Sequence, residues 1–395
     1  MKLSRMLVSA AIVASASACA DGYQVHALPQ DPTWFSSWAS AINAAGTVVG
    51  AANVLIGYDT FGFPVTQTRA VVWAYGAFAY LPGIVAPAQY RLASQASSIN
   101  ASGLIVGEAQ SLNNTVAASW IGGSLSQLTS SNVHAPSTSA NAVNDSGVIV
   151  GTGGSAQVTA VVFRGGLALP VSLSSGATAS GGALFDVNAR GIAVGYVNTG
   201  SPPLFLGDQS SVTNWAVVGD TATLAVTRLP PLADGSHASA YRISDAGLVV
   251  GMSYDASNTS GHAVLWRDGV PTLLDGGLNA ASSIATGVDA AGVITGVYRR
   301  ADNVQRGFIW RDGNATDLLG LVEGGANNWL TIGATDMTET GILVGYAESL
   351  SGRTMAVFLT PVPEPTSLML FLVGGIALLW LITRGPRGRC RRISA

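Results

Sequence analysis

The sequence predicts an all-β chain built as a ring of seven four-stranded units, with one apolar helix at its C-terminal end. Three observations carry this prediction. One nine-residue motif recurs seven times: INAAGTVVG (42–50), INASGLIVG (99–107), VNDSGVIVG (143–151), VNARGIAVG (187–195), ISDAGLVVG (243–251), VDAAGVITG (288–296) and MTETGILVG (337–345). The first glycines of the copies lie 44 to 57 residues apart, which leaves room for about four short strands per unit. That period suits a propeller blade, since the coil of a β-helix is roughly half as long. The seventh unit stops after MAVFLTPV without a last strand, and YQVHALPQ (23–30) looks like the missing one. A strand from the N-terminus then closes a seven-bladed β-propeller and leaves only short, protected sheet edges. Six or eight blades, or an open array, remain compatible with the spacing.

In chain order, residues 1–20 read as a secretory signal. Lys2 and Arg5 form a basic start, Met6 to Ser15 an apolar core, and Ala18-Cys19-Ala20 an A-x-A site with cleavage between Ala20 and Asp21. A lipoprotein reading of Ala16-Ser17-Ala18-Cys19 lacks the usual leading leucine. The repeats then occupy 21–361. In each motif the second position is Asn43, Asn100, Asn144, Asn188, Ser244, Asp289 or Thr338. Each has a short side-chain oxygen that can accept a backbone N–H and start a turn. Gly46, Gly103, Gly147, Gly191, Gly247, Gly292 and Gly341 follow three residues later and can close that turn at positive φ. A β-branched run comes next and reads as a strand. Four residues after the first glycine comes a second one, where a close backbone approach leaves no room for a Cβ; a ligand groove is the other reading.

A further strand is read in RAVVW (69–73), AASW (117–120), AVVF (160–163), HAVLW (262–266), RGFIW (306–310) and MAVFL (355–359), with PLFL (203–206) as the weaker copy in unit four. Trp73, Trp120, Trp266 and Trp310 recur at one position and are expected to pack between blades. Arg267-Asp268-Gly269 and Arg311-Asp312-Gly313 supply turns. Units then end in Leu, often Leu-Pro, as at Leu81-Pro82, Leu169-Pro170 and Leu229-Pro230. Two units are long, at 51–68 and 207–228, and read as inserted loops; Trp34, Trp38, Trp215 and Trp329 are placed in connections or insertions, where an exposed ring can stack on a sugar or a protein.

Residues 362–395 form a separate tail. Pro363-Glu364-Pro365 is held extended by its prolines. Thr366 to Thr383 is a run of 18 uncharged residues, about 27 Å as a helix and enough to span a bilayer. Arginines 384, 387, 389, 391 and 392 follow; they should stay cytoplasmic and leave the body outside the inner membrane.

Composition narrows the chemistry. Only 10% of the residues are charged and 48% are apolar, too apolar for a disordered chain. The two cysteines, Cys19 and Cys390, lie in the termini, so the body has no internal disulfide, thiolate metal site or cysteine nucleophile. Without Lys2, Arg5 and the tail, the body keeps 12 basic residues against 21 acidic ones, a poor balance for nucleic acid. His26, His134, His237 and His262 show no metal spacing, and no catalytic motif is present. Asp145, Asp245 and Asp289 fit turns better than a calcium site, which needs several converging oxygens. No cofactor is expected.

Two resemblances add to this. Pro363-Glu364-Pro365, the apolar span and the arginine cluster, in that order, resemble the PEP-CTERM sorting signal of exopolysaccharide-producing Gram-negative bacteria. That implies an exosortase partner, transient residence in the inner membrane, and release to the cell surface with exopolysaccharide as an associated partner. GHAVLWRDG (261–269), and less fully RGFIWRDG (306–313), are similar to HAF-type extracellular repeats, which carry no established activity. The expectation is a non-enzymatic surface or matrix propeller. The alternative is a polysaccharide hydrolase or lyase, which a cluster of Asp, Glu, His or Arg at one mouth of the ring would favour. A third reading is a sensor domain that keeps its membrane anchor.

Overall fold

The computed structural model describes residues 22–84, 92–112, 114–130, 137–153, 158–176, 179–199, 213–233, 235–255 and 260–362. The elements are almost entirely strands. β1 (Gly22–Ala27) stands first. Blade 1 is β2 (Trp34–Ile42), β3 (Val48–Tyr58), β4 (Pro64–Ala74) and β5 (Ala77–Tyr80). Blade 2 is β6 (Ser94–Ile99), β7 (Ile105–Gln110), β8 (Thr115–Ile121) and β9 (Ser124–Ser130). Blade 3 is β10 (Ser139–Val143), β11 (Ile149–Gly153), β12 (Thr159–Arg164) and β13 (Leu167–Pro170). The short β14 (Ser172–Leu173) leads into blade 4, which is β15 (Gly181–Val187), β16 (Ile192–Thr199), β17 (Thr213–Asp220) and β18 (Ala225–Arg228). Blade 5 is β19 (Ala238–Ile243), β20 (Val249–Tyr254), β21 (Gly261–Arg267) and β22 (Val270–Leu273). Blade 6 is β23 (Ser282–Val288), β24 (Ile294–Arg299), β25 (Gln305–Arg311) and β26 (Asn314–Asp317). Blade 7 is β27 (Trp329–Met337), β28 (Leu343–Ser349) and β29 (Thr354–Val362), completed by β1 in the order β1-β29-β28-β27.

The fold is therefore an all-β propeller of seven four-stranded blades, closed by the N-terminal strand. Leu28 N donates to Ala356 O at 3.0 Å, and His26 bonds Thr360 Oγ1 at 3.1 Å while stacking on Phe358. Edges are partly covered: β13 pairs in parallel with β9, and β14 with β18. The apolar core lies between blades. One cluster joins Val49, Ala70 and Leu81 of blade 1 to Ala96, Ile105 and Trp120 of blade 2, and comparable clusters recur at the neighbouring interfaces.

Two sequence assignments need correction. The segment 51–68 is not an inserted loop but the far half of a long hairpin, with β3 and β4 paired out to Tyr58 and Pro64. In blade 4 the third strand is β17, inside the stretch read as the insertion 207–228; residues 203–206 lie outside the described residues. Register explains the miss. Gly219 takes the place that Trp73 holds in blade 1, pairing with Ala193 as Trp73 pairs with Val48. The aromatic that marks this strand elsewhere is missing. Trp34, Trp38, Trp215 and Trp329 likewise lie in strands, not in connections.

Residues 24–360 form one compact unit. A second unit, 1–23 with 361–395, is described only at 22, 23, 361 and 362. Ala20, Asp21, Pro363-Glu364-Pro365, the run 366–383 and His134 lie outside the described residues. Among the described residues no helix is long and apolar enough to cross a membrane.

Candidate functional site: the channel and its turn rim

Each blade turns from its innermost strand to its second strand through the recurring motif, so seven turns ring one mouth of the channel. Asn43 shows the local chemistry. Its Oδ1 accepts from Ala45 N at 3.1 Å and Thr47 N at 3.0 Å, while Gly46, at φ 79°, donates its N–H to Asn43 O. The other turns repeat the bond to the fourth residue, including those led by Ser244, Asp289 and Thr338. A short oxygen is all this needs, which is why four residue types serve.

The turns are also joined to one another. Asn43 Nδ2 donates to Asn100 O at 3.1 Å, Asn100 to Asn144 O at 3.0 Å, Asn144 to Asn188 O at 2.8 Å and Asn188 to Ser244 O at 3.2 Å. Four asparagines thus form a ladder from blade 1 to blade 5. Carboxylates add a second set. Asp145 accepts from Ala101 N, Asp245 from Ala189 N and Glu339 from Ala290 N, each at 2.8 Å and each in a neighbouring blade. Burial raises the pKa of Glu339 and of Asp289.

The second glycine faces the innermost strand. At Gly151 and Gly195 an added Cβ would fall 1.9 Å from the carbonyl oxygens of Ser139 and Ala183, far inside van der Waals contact. The cause is a β-bulge opposite that glycine, present in all seven blades. The glycine therefore marks a close backbone approach. Bulging re-aims one residue per blade. Three of these residues tie blades together: Asn141 Nδ2 donates to Leu184 O, Thr286 Oγ1 to Ala334 O and Thr335 Oγ1 to Ala39 O, at 2.7, 2.7 and 2.8 Å. In blades 4 and 5 the bulged residues are Phe185 and Tyr241, whose rings lie 5.1 Å apart.

The next residue along carries the channel's charge. Asp186 Oδ2 accepts from Ile243 N at 2.9 Å and Asp336 Oδ2 from Ile42 N at 3.1 Å, each in the following blade. Ser98 Oγ does the same for Val143 N. Both residues are half-buried. Burial pushes Asp186 up, and Asp336 up to about 6, while the guanidinium of Arg242 pulls both down. These groups, with Asp145, Asp245 and Glu339, line a cavity of about 200 Å³. A larger cavity of about 400 Å³ lies by blades 3 and 4, but none of its lining residues is titratable. The sequence reading missed Asp186, Arg242, Asp336 and Glu339. The signal was present for three of them: each sits two residues before a turn residue, where most copies are uncharged.

Other candidates act between blades. Trp73, Trp120 and Trp266 are buried and donate Nε1–H to Pro29 O, Pro82 O and Pro230 O, at 2.9, 2.8 and 2.6 Å. The Leu-Pro ends and the tryptophans are thus two halves of one contact. Trp310 is only half-buried and packs against the core between blades 5 and 6. His262 Nδ1 bonds Asp275 Oδ2 at 2.6 Å; Ser283 of blade 6 donates to the same oxygen and accepts from Ala263 N. The serine bonds the aspartate rather than the histidine, so this is a clamp and not an activated nucleophile. Ser37, Ser94 and Thr138 accept from Ala356, Ala70 and Ala117 in the same way. Among the described residues no three His, Cys, Asp or Glu side chains gather as metal ligands.

No family model matches the chain. No curated protein matches it either. Solved structures resemble it distantly. The β-propeller domain of the Trilobed protease from Pyrococcus furiosus is 11% identical at a TM-score of 0.36, over 76% of this chain and 96% of that one. Trypanosoma rangeli sialidase in complex with the inhibitor DANA is 9% identical at 0.38, and the match covers 89% of this chain and 57% of the sialidase. Aleuria aurantia lectin in complex with alpha-methyl-L-fucoside is 11% identical at 0.31, over 72% of this chain and 96% of the lectin.

Proposed function

We propose that this chain is an exported, non-enzymatic propeller that binds or builds the cell surface or extracellular matrix. An exosortase processes it at Pro363-Glu364-Pro365, the tail holds it at the inner membrane until then, and exopolysaccharide is its partner. The tail's three ordered features support the sorting step. One observation supports the non-enzymatic reading: the charged groups of the mouth are engaged in holding the ring. Asp145, Asp245, Glu339, Asp186 and Asp336 each accept a backbone N–H from an adjacent blade. A carboxylate committed to a neighbour's backbone is a structural member. The test has two parts. Intact mass of the protein from native cells, with and without the exosortase, is expected to show tail loss only when the enzyme is present. The released protein is then expected to co-purify with the polysaccharide fraction, without shortening the polymer over long incubation.

A second reading, a polysaccharide hydrolase or lyase, is favoured by the composition of the mouth. Two half-buried carboxyls face one arginine there, and desolvation pushes the pKa of one of them up to about 6, where a proton can be given or taken near neutral pH. Depolymerisation that Asp336→Asn abolishes, with binding retained, would establish this reading and remove the first.

A further inference from the structure

The long hairpin of blade 1 differs from every other described connection between second and third strands. β3 and β4 each run 11 residues and stay paired as far as Tyr58 and Pro64. This connection lies at the end of the blade opposite the turn rim, because the second strand leads away from the rim. Its tip carries three aromatic side chains within six residues. Phe61 is 84% exposed, Tyr58 67% and Phe63 66%, so no described part of the chain covers them. A soluble chain seldom leaves three neighbouring rings bare without a use for them.

The tip is also held in one shape. Asp59 Oδ1 accepts from Phe61 N at 2.9 Å and Phe63 N at 2.8 Å. Asp59 N donates to Phe63 O, Gly62 N donates to Asp59 O, and Gly62 sits at φ 83°, a conformation open to glycine. Four hydrogen bonds therefore fix a five-residue turn and set the backbone positions of the rings. The ordering cost of binding is largely met before a ligand arrives.

We propose that this tip is the contact site for an uncharged polysaccharide, with the rings stacking on sugar faces; this rests on the polysaccharide-binding reading above. Three features select that ligand. Flat rings exposed on a rigid turn suit the apolar C–H faces of pyranose units. Uncharged hydrogen-bonding groups stand near them: Thr60 and Thr66 are exposed. Charge selects against the alternatives. Between residues 53 and 68 the only charged side chain is Asp59, and no lysine or arginine is present. An acidic polysaccharide or an anionic bilayer would need cations, and the segment 53–68 supplies none.

The test compares the full-length chain with a Tyr58→Ser/Phe61→Ser/Phe63→Ser variant. Val270→Ser, which removes an exposed apolar side chain on blade 5, is the control. Dextran and galactomannan serve as neutral polymers, polygalacturonate as an acidic one, and phosphatidylcholine vesicles as a bilayer. Affinity electrophoresis and co-sedimentation give the readout. The wild-type chain and the control are expected to be retarded by at least one neutral polymer. The triple variant, with an unchanged circular-dichroism melt, is expected to lose at least tenfold in affinity. A triple variant that binds as tightly as wild type overturns the hairpin site and leaves polysaccharide binding standing elsewhere on the propeller. A wild-type chain that binds vesicles through the tip but no polymer overturns the proposal in favour of a lipid surface. A wild-type chain that binds no polymer and no vesicle overturns both the site and the reading beneath it.

Discussion

Asp336 shows how one residue couples the ring to pH. Its carboxyl is half-buried between blades, and desolvation raises its folded pKa to about 6, above the usual 3.8. Between those values the native chain keeps a proton that the unfolded chain has lost. The stabilisation is therefore complete below about pH 4 and lost as pH rises through 6, by about 3 kcal/mol. Asp186 moves in the same direction for the same reason. Asp336→Asn keeps an oxygen for Ile42 N and has no proton to lose. Urea melts at pH 4.5 and 7.5 are expected to show a smaller difference in this variant, with a more stable protein at pH 7.5. The glycines give a second test. Gly195→Ala places a Cβ against Ala183 O across the bulge, and a loss of about 3 kcal/mol or more is expected. Gly46→Ala meets open space and bears only the positive φ, about 1–2 kcal/mol. Equal losses at the two positions would mean that the bulge relaxes around a methyl group.

At the scale of the element, each blade is joined to the next by a repeating set of polar contacts laid over a small apolar core. The tryptophan on the third strand reaches back to the proline carbonyl at the preceding blade's end. Trp120→Phe keeps most of the buried ring but leaves Pro82 O without its donor. The expected cost is about 1–3 kcal/mol, measured by chemical denaturation. Blade 4 varies the same plan. Trp215 stands where Arg69 stands in blade 1, and Arg228 where Tyr80 stands, and both pairs make a cation–π contact with the partners exchanged. The innermost strands were the least legible elements. Segments such as SQASSI in β6 and SANAV in β10 are rich in Ser and Ala and poor in β-branched residues. Blades converge at the channel, so small side chains fit there whatever their strand propensity.

At the scale of the whole molecule, β1 decides whether the ring is closed. Blade 7 takes its outermost strand from the other end of the chain, so the contact that closes the ring joins strands far apart in sequence. A variant lacking residues 22–27 is expected to melt about 10 °C or more lower and less cooperatively. A synthetic peptide spanning 22–30 is expected to restore part of the loss. A variant with an unchanged melt would show that the other six blades hold the ring without closure.

The sequence by itself determined the repeating units and their turns and favoured a closed ring of seven, whose number and closure the structure settled. Units and turns depend on local chemistry that repeats: an oxygen that starts a turn, a glycine that completes it, a Leu-Pro that ends a unit. The missing last strand of the seventh unit, with YQVHALPQ standing ahead of the first, then pointed to the N-terminal strand. Tertiary structure alone decided what those residues do between blades. Asn43, Asn100, Asn144 and Asn188 read as turn formers, and only the ring brings each amide to its neighbour's carbonyl. Asp186, Arg242 and Asp336 lie in three different blades at the same repeat position, and only the ring brings them together in the channel. The third strand of blade 4 and the hairpin of blade 1 were also settled in three dimensions. The physical reason is the same throughout. A turn is made by neighbours in the chain, whereas a channel is made by residues dozens to hundreds of positions apart that share only a distance from the axis.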